Sequence, residues 1–315
     1  MITTVTLNPA LDKLYLINDF KLHNLHRLGD LIRTGTTPGG KGINVAIFAQ
    51  RMGIESNAMG FIGGHTGRIV EEMVREEKVT TNFIFVEHET RIDITIIDEK
   101  NDTLTEINES GPPVFQEDLD AFIERYERIL EDSELVILSG SIPPNVPPDI
   151  YATLIDLANK KNIKTILNTS KAPLEAGIEA GPTIVYPDMR SAYNMYGKKT
   201  ETMEDYSHLA SFIKEKNPKI EMVIFTNPVR DIFVADVEGH HYQAKIEDLR
   251  IVNLFGFGDA LVGGLVLGLN ENKSLIEILR SGLASGLVNV ESIKKQISDR
   301  SKIENAKPRI KLMEI

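Results

Sequence analysis

Short β-rich runs alternate with longer segments of helical period along most of this chain, a pattern that a mainly parallel sheet covered by helices satisfies. The strand candidates are Thr3 to Leu7, Asn57 to Ile62, Leu135 to Ser139, Thr165 to Asn168, Ile184 to Pro187 and Val223 to Thr226. Most of them are followed by Gly, Pro or Asn. Between them, Ile43 to Met52, Ile69 to Glu77, Glu117 to Leu130, Ile150 to Lys160, Tyr206 to Lys216 and Leu275 to Ile293 repeat apolar residues at three and four, as a face laid on a sheet requires. The spacing predicts an α/β fold. Ligands of such sheets bind beyond the carboxyl ends of the strands, so the strand-end residues are the first candidates for a site. A length of 315 residues suits one or two domains, and no fixed-period repeat or disordered linker marks a boundary.

Two regions break the alternation, Lys13 to Thr36 and Arg91 to Asn108. In the second, Ile92-Asp93-Ile94-Thr95-Ile96 alternates before a polar turn at Glu99 to Asp102 and a second alternating run, which predicts antiparallel structure. A small β element built from two separate stretches is what a lid over a crevice looks like; a surface hairpin without a role is the plainer alternative.

Charge limits the partners. With 35 basic and 46 acidic residues the chain carries −11, so nucleic acid or an anionic membrane would be engaged against the mean field. Any small anion needs a local cluster of cations or backbone amides. The absence of cysteine removes disulfide frameworks, thiol catalysis and thiolate metal sites, and fits a reducing, cytoplasmic setting. Met1 to Leu7 lacks the basic flank and apolar core of a signal peptide and reads as a first strand. Ile251 to Leu269 is apolar but carries Asp259 and five glycines. A central Asp costs about 3 kcal/mol on insertion, so the segment reads as a buried helix after a loop.

Two glycine-led helix starts carry the strongest chemical signals. Pro38-Gly39-Gly40-Lys41-Gly42-Ile43-Asn44 places one lysine among amides that can face an anion. It is not a Walker A loop, because Gly42 stands where a Ser or Thr would hold Mg²⁺. Gly256-Phe257-Gly258-Asp259 opens the apolar run to Leu269. Leu261 in place of a third glycine, and an Asp beside the loop, disfavour a dinucleotide fingerprint. The arrangement suits phosphoryl transfer, with amides of Gly256 to Gly258 facing the moving charge and Asp259 accepting the proton of an attacking hydroxyl. A helix-capping role for Asp259 is the alternative. Weaker signals stand at other strand ends: Asn8 and Asp12, Thr90-Arg91, and Ser139-Gly140-Ser141.

Taken in this order, Thr6 to Asp12, Gly39 to Val45, Thr90-Arg91, Ser139 to Ser141 and Gly256 to Asp259 resemble the ribokinase-like (PfkB) carbohydrate kinases, over nearly the whole chain. The closest branch of that resemblance is the 1-phosphofructokinases and tagatose-6-phosphate kinases. It implies a single domain over 1–315, a mainly parallel sheet flanked by helices, with a small β-sheet lid inserted from about 13–36 and 91–108. It implies a cytoplasmic, ATP- and Mg²⁺-dependent kinase that acts on fructose 1-phosphate or tagatose 6-phosphate, pairs through its lid into a homodimer, and has no nucleic-acid or membrane partner.

Carried over residue by residue, the resemblance makes Asp259 the catalytic base, with Gly256, Phe257 and Gly258 as its anion hole. Asp12, Gly39, Gly40 and Asn44 would hold the sugar, and Lys41 and Arg91 its phosphate, with Ser139 nearby. Asp188, Thr226, Gly256 and Gly258 fall to the nucleotide, and Asp188 to the metal, directly or through water.

The nucleotide half departs from the family pattern. Tyr186-Pro187-Asp188-Met189-Arg190-Ser191 replaces Lys-Pro-Asn-x-x-Glu. Thr226-Asn227-Pro228-Val229-Arg230-Asp231 replaces a Ser/Thr-Leu-Gly-x-x-Gly turn, and Leu254-Phe255-Gly256-Phe257-Gly258 puts a ring where Ala is usual. Proline removes an amide donor and Asp231 adds repulsion, which implies weaker nucleotide binding. A sugar-phosphate-binding protein with little catalysis is therefore a second reading. A nucleoside kinase is a third, disfavoured because a neutral substrate leaves Lys41 and Arg91 without a partner.

Overall fold

A computed structural model describes residues 1–28, 34–188, 194–228, 231–252, 254, 256–292, 297 and 299–315. The amino-terminal half opens with β1 (Ile2–Thr6), β2 (Ala10–Ile17), β3 (Thr34–Gly39) and helix α1 (Lys41–Arg51). It continues through β4 (Ser56–Gly63), α2 (Gly64–Glu76), the short β5 (Thr80–Thr81) and β6 (Ile84–Val86), and the pair β7 (Arg91–Asp98) and β8 (Thr103–Asn108). Then α3 (Gln116–Ile129), β9 (Leu135–Ser139), α4 (Ile150–Lys160), β10 (Lys164–Asn168), α5 (Lys171–Glu179) and β11 (Ile184–Val185) alternate.

The remainder comprises the hairpin β12 (Asn194–Met195) and β13 (Lys198–Lys199), α6 (Met203–Lys216), β14 (Met222–Asn227), β15 (Ile232–Val237) and β16 (His240–Ile246). Helices α7 (Phe257–Asn270), α8 (Leu275–Val290) and α9 (Arg300–Ala306) and strand β17 (Ile310–Glu314) complete it.

The large sheet runs β17-β16-β15-β14-β11-β10-β9-β1-β4-β5, with β6 also on β4. Strands from β14 through β4 pair in parallel, and β15, β16 and β17 extend one edge antiparallel. Parallel strands buried on both faces explain why their sequences are almost continuously apolar. Alternate residues feed two cores. Val5, Val136, Leu138 and Leu167 pack under α3 to α6, and Ile2, Leu135, Ile137 and Ile166 pack under α1, α7, α8 and α9. The chain leaves β1 toward β4 on one side and reaches β9 and β10 on the other. The crevice at the carboxyl ends of β1 and β9 is therefore the switch point of the sheet.

The predicted strands and helices are present with shifted ends: the Ile184 strand stops at Val185, and α2 begins at Gly64, ahead of Ile69. Ile293, the expected end of α8, lies outside the described residues. The two interrupting regions meet in one four-stranded sheet, β3-β2-β7-β8. Its outer pairs are antiparallel as predicted. The contact between the two regions is parallel, Ala10 opposite Arg91 through Ile17 opposite Asp98. Parallel pairing follows because β2 and β7 each leave a parallel strand of the large sheet in the same direction, β1 before the one and β4, with β6, before the other.

Candidate active site

The carboxyl end of β1 fixes the start of α1. Thr6 Oγ1 accepts the Ile43 amide at 3.0 Å, and Gly40 turns the chain at φ 123°, where a Cβ would lie 2.5 Å from Thr6 Cγ2. Only glycine takes that turn without strain. Gly256 plays the same part for α7 at φ 78°. Each helix has a glycine as its N-cap, without a capping side chain of its own; the Thr6 hydroxyl takes the Ile43 amide of α1, and the positive end of each helix dipole lies at these starts. The two first turns touch: Asn44 Nδ2 donates to Asp259 Oδ2 at 2.7 Å.

One turn earlier on the same face of α1, Lys41 Nζ lies 2.6 Å from Asp188 Oδ2. Asp188 follows β11, and its amide is held on the Thr169 carbonyl at 3.0 Å. Two residues before it, the buried Tyr186 phenol shares a 2.8 Å hydrogen bond with Thr226 Oγ1. The same phenol lies close to Gly258, 3.3 Å from where a Cβ would be. Burial raises the Tyr186 pKa well above the ordinary tyrosine value; the Thr226 bond opposes this and the charges of Asp188 and Asp259 add to it.

On the other side, Asp12 leans over Gly39, where any Cβ would clash with its carboxylate. Arg91 is largely spent within the chain. Its Nε and Nη2 donate to the Asn8 carbonyl at 3.3 and 3.1 Å, and its Nη1 donates to the Glu109 carbonyl at 3.0 Å and pairs with Asp93. Burial raises the Asp93 pKa in spite of that cation. Asn8 Nδ2 reaches Ser110 O at 3.0 Å and Ser141 Oγ at 3.4 Å. Ser139 Oγ and Asn8 Oδ1 are buried without a hydrogen-bond partner among the described residues. Buried polar atoms of this kind call for a partner, an ordered water included.

The sequence candidates thus gather at one end of the sheet, with differences in detail. Asn44 meets Asp259, where a sugar hydroxyl was expected. The Thr226 hydroxyl is taken by Tyr186. The Phe257 ring does not lie among the amides: it is buried with Phe233, centroids 6.2 Å apart, and presses on Gly286 of α8. An apolar ring gains more in that core than beside charged groups, so the ring turns from the site, while the Phe257 amide makes a long 3.4 Å bond to the Leu254 carbonyl. Asp231 closes a turn by donating its amide to the Pro228 carbonyl. Met189, Arg190, Ser191, Val229, Arg230 and Phe255 lie outside the described residues.

Sequence reasoning missed the Tyr186–Thr226 pair, the Asp93 partner of Arg91 and the Thr169 carbonyl under Asp188, none of which has a local motif. Among the described residues no cluster of three metal-ligating side chains occurs. Mg²⁺ is commonly held by one or two carboxylates with substrate phosphates, so Asp188, near Asp259 and two amide-rich helix starts, is a donor that fits it.

Residues 12–302 match the family described as pfkB family carbohydrate kinase. The chain is 30% identical over 312 residues to the 1-phosphofructokinase of Bacillus subtilis (strain 168), covering 99% of each. A Thermotoga maritima crystal structure described as a "possible 1-phosphofructokinase" superposes with a TM-score of 0.93 at 34% identity, over 100% of this chain and 99% of the other. Phosphofructokinase-2 of Escherichia coli, in complex with fructose-6-phosphate, shares the fold with a TM-score of 0.84 at 23% identity, over 98% of each chain.

Proposed function

The chain belongs to the pfkB family of carbohydrate kinases and is a phosphotransferase with an alcohol group as acceptor, and from that premise we propose that it transfers the γ-phosphoryl group of ATP to fructose 1-phosphate, giving the bisphosphate. The observation that carries this reading is the Asn44–Asp259 contact at the glycine-led start of α7, with Lys41 on the same face of α1. Tagatose 6-phosphate is the second candidate; full-length identity to a 1-phosphofructokinase favours fructose 1-phosphate.

In this reading Asp12, Gly39, Gly40 and Asn44 hold the sugar, and Lys41, Arg91 and Ser139 its phosphate. Asn44 orients the Asp259 carboxylate toward the acceptor hydroxyl. As that oxygen attacks the γ-phosphorus, Asp259 takes its proton and the bond to the β-phosphate oxygen breaks, releasing ADP. The amides of Gly256, Phe257 and Gly258 face the charge on the moving group. Mg²⁺ held at Asp188 and the nucleotide phosphates would neutralise part of that charge. Thr226 lines the nucleotide side through its contact with Tyr186.

We take 1–315 as one domain whose small sheet is the lid, closing over the sugar so that water does not compete for the phosphoryl group. The outward β8, with Leu104 and Ile107 exposed, is the face through which two copies would pair in the cytoplasm.

Asp259→Asn should lower kcat for ADP release with fructose 1-phosphate by about 10²–10⁴-fold while leaving sugar-phosphate affinity within a few-fold. Wild-type turnover in that variant would remove Asp259 from the chemistry. Absence of turnover by the unaltered chain, with sugar phosphate still bound, would favour the binding-protein reading.

A further inference from the structure

Lys41 and Asp188 stand on opposite walls of the site, one opening α1 and the other following β11, and meet at 2.6 Å with side chains 30% and 11% exposed. Each is assigned to a different ligand on the reading above, on which this inference rests: Lys41 to the sugar's phosphate, Asp188 to the metal and nucleotide. In the contact described here they neutralise each other. A lysine in contact with Asp188 has fewer donors for a phosphate, and a carboxylate in contact with Lys41 has less charge for a cation.

The two partners differ in freedom. The Asp188 backbone is tied to Thr169, and its side chain is short. Lys41 has a four-carbon stem ending in a point charge, so it is the partner that can swing away. One turn along α1, Asn44 keeps its hold on Asp259 independently, so the swing need not disturb the base.

We propose that the Lys41–Asp188 pair couples the two substrates: the sugar's phosphate draws Lys41 off Asp188, and the carboxylate, relieved of that lysine, becomes an anchor for the Mg²⁺ of the nucleotide. The linkage is reciprocal, so Mg²⁺-nucleotide on Asp188 frees Lys41 and tightens sugar-phosphate binding by the same factor. A nucleotide arriving before the sugar meets a site whose anchor is engaged, which disfavours phosphoryl transfer to water. Asp188 thereby acts on the sugar's phosphate only through Lys41.

The test is calorimetric titration of the full chain with fructose 1-phosphate, alone and with a non-hydrolysable ATP analogue, each with and without Mg²⁺, for wild type and Asp188→Asn. In the wild type the Mg²⁺-analogue should tighten sugar-phosphate binding about tenfold, and the Mg²⁺-free analogue should not. Asp188→Asn, nearly isosteric, should bind fructose 1-phosphate about tenfold more tightly without nucleotide and show a coupling factor near one. An Asp188→Asn variant with wild-type affinity, or with its coupling intact, would overturn the inference and leave the kinase reading standing. A wild-type chain that binds no ketohexose phosphate would overturn the kinase reading and this inference with it.

Discussion

Tyr186 shows how a single side chain can redirect a strand-end site. Its phenol lies buried between two carboxylates and the amide-bearing start of α7, and its one bond within the described residues is to Thr226. Replacing it by Phe leaves the buried Thr226 hydroxyl without that partner, at a cost of about 1–3 kcal/mol. Tyr186→Phe should therefore lower the urea midpoint with an unchanged m-value; an unchanged midpoint would show that Thr226 finds another partner. The positions of Lys41, Asn44 and Asp259 were legible because glycines at helix starts leave a local mark. Tyr186 as the partner of Thr226 and Asn8 as that of Arg91 were not, since these lie far apart along the chain and are brought together by strand order; Asp93, two residues from Arg91, is near in sequence but carries no motif. Phe257 illustrates the same limit: it stands in a glycine-led helix start, yet its ring belongs to the core, and residue type does not say which way the ring turns.

At the level of elements, the small sheet is tied to its own turn by one carboxylate. Asp98 accepts the amides of Asp19 and Phe20 at 2.9 and 2.7 Å, and those of Lys100 and Asn101 at 3.1 and 3.3 Å. Burial works to raise its pKa, but these bonds and the Asn101 side chain lower it to about 2. Asp98→Ala should speed amide exchange at Asp19, Phe20, Lys100 and Asn101 by on the order of tenfold or more, and raise the KM for the sugar phosphate with little change in kcat. Unchanged exchange would mean that strand pairing alone holds the turn. The alternation of β7 was readable, but the parallel contact with β2 was not, because register between distant strands leaves no local pattern. Nor were β15 to β17. His240–Ile246 is polar enough to pass for a loop and is a strand because β15 and β17 satisfy its backbone on either side.

For the molecule as a whole, ionisable groups set a window of stability. Besides Asp98, Glu89 is lowered by the amides of Thr66 and His65, Glu291 by Arg309 and Asp299 by Ser301. Carboxylates with depressed folded-state values contribute stability that is present above about pH 4 and lost as pH falls through those values. Tyr126 and Tyr151 lie in the core, with values raised by burial above the ordinary 10.0. Their contribution is present below about pH 10 and lost as pH rises beyond it. The Tm should hence be level between about pH 5 and 9 and fall on both sides; a level profile through pH 11 would show that these phenols do not resist ionisation. The sheet and its helices were legible as a class because a doubly covered parallel sheet demands continuous apolar strands. The parallel register of β2 on β7 carries a consequence of another kind. It joins segments separated in the chain by β3, α1, β4, α2, β5 and β6, so its loop-closure entropy falls only once that intervening unit has formed. The small sheet should thus form late in folding, and a chain arrested before it would display a finished large sheet with the crevice at its strand ends open to water.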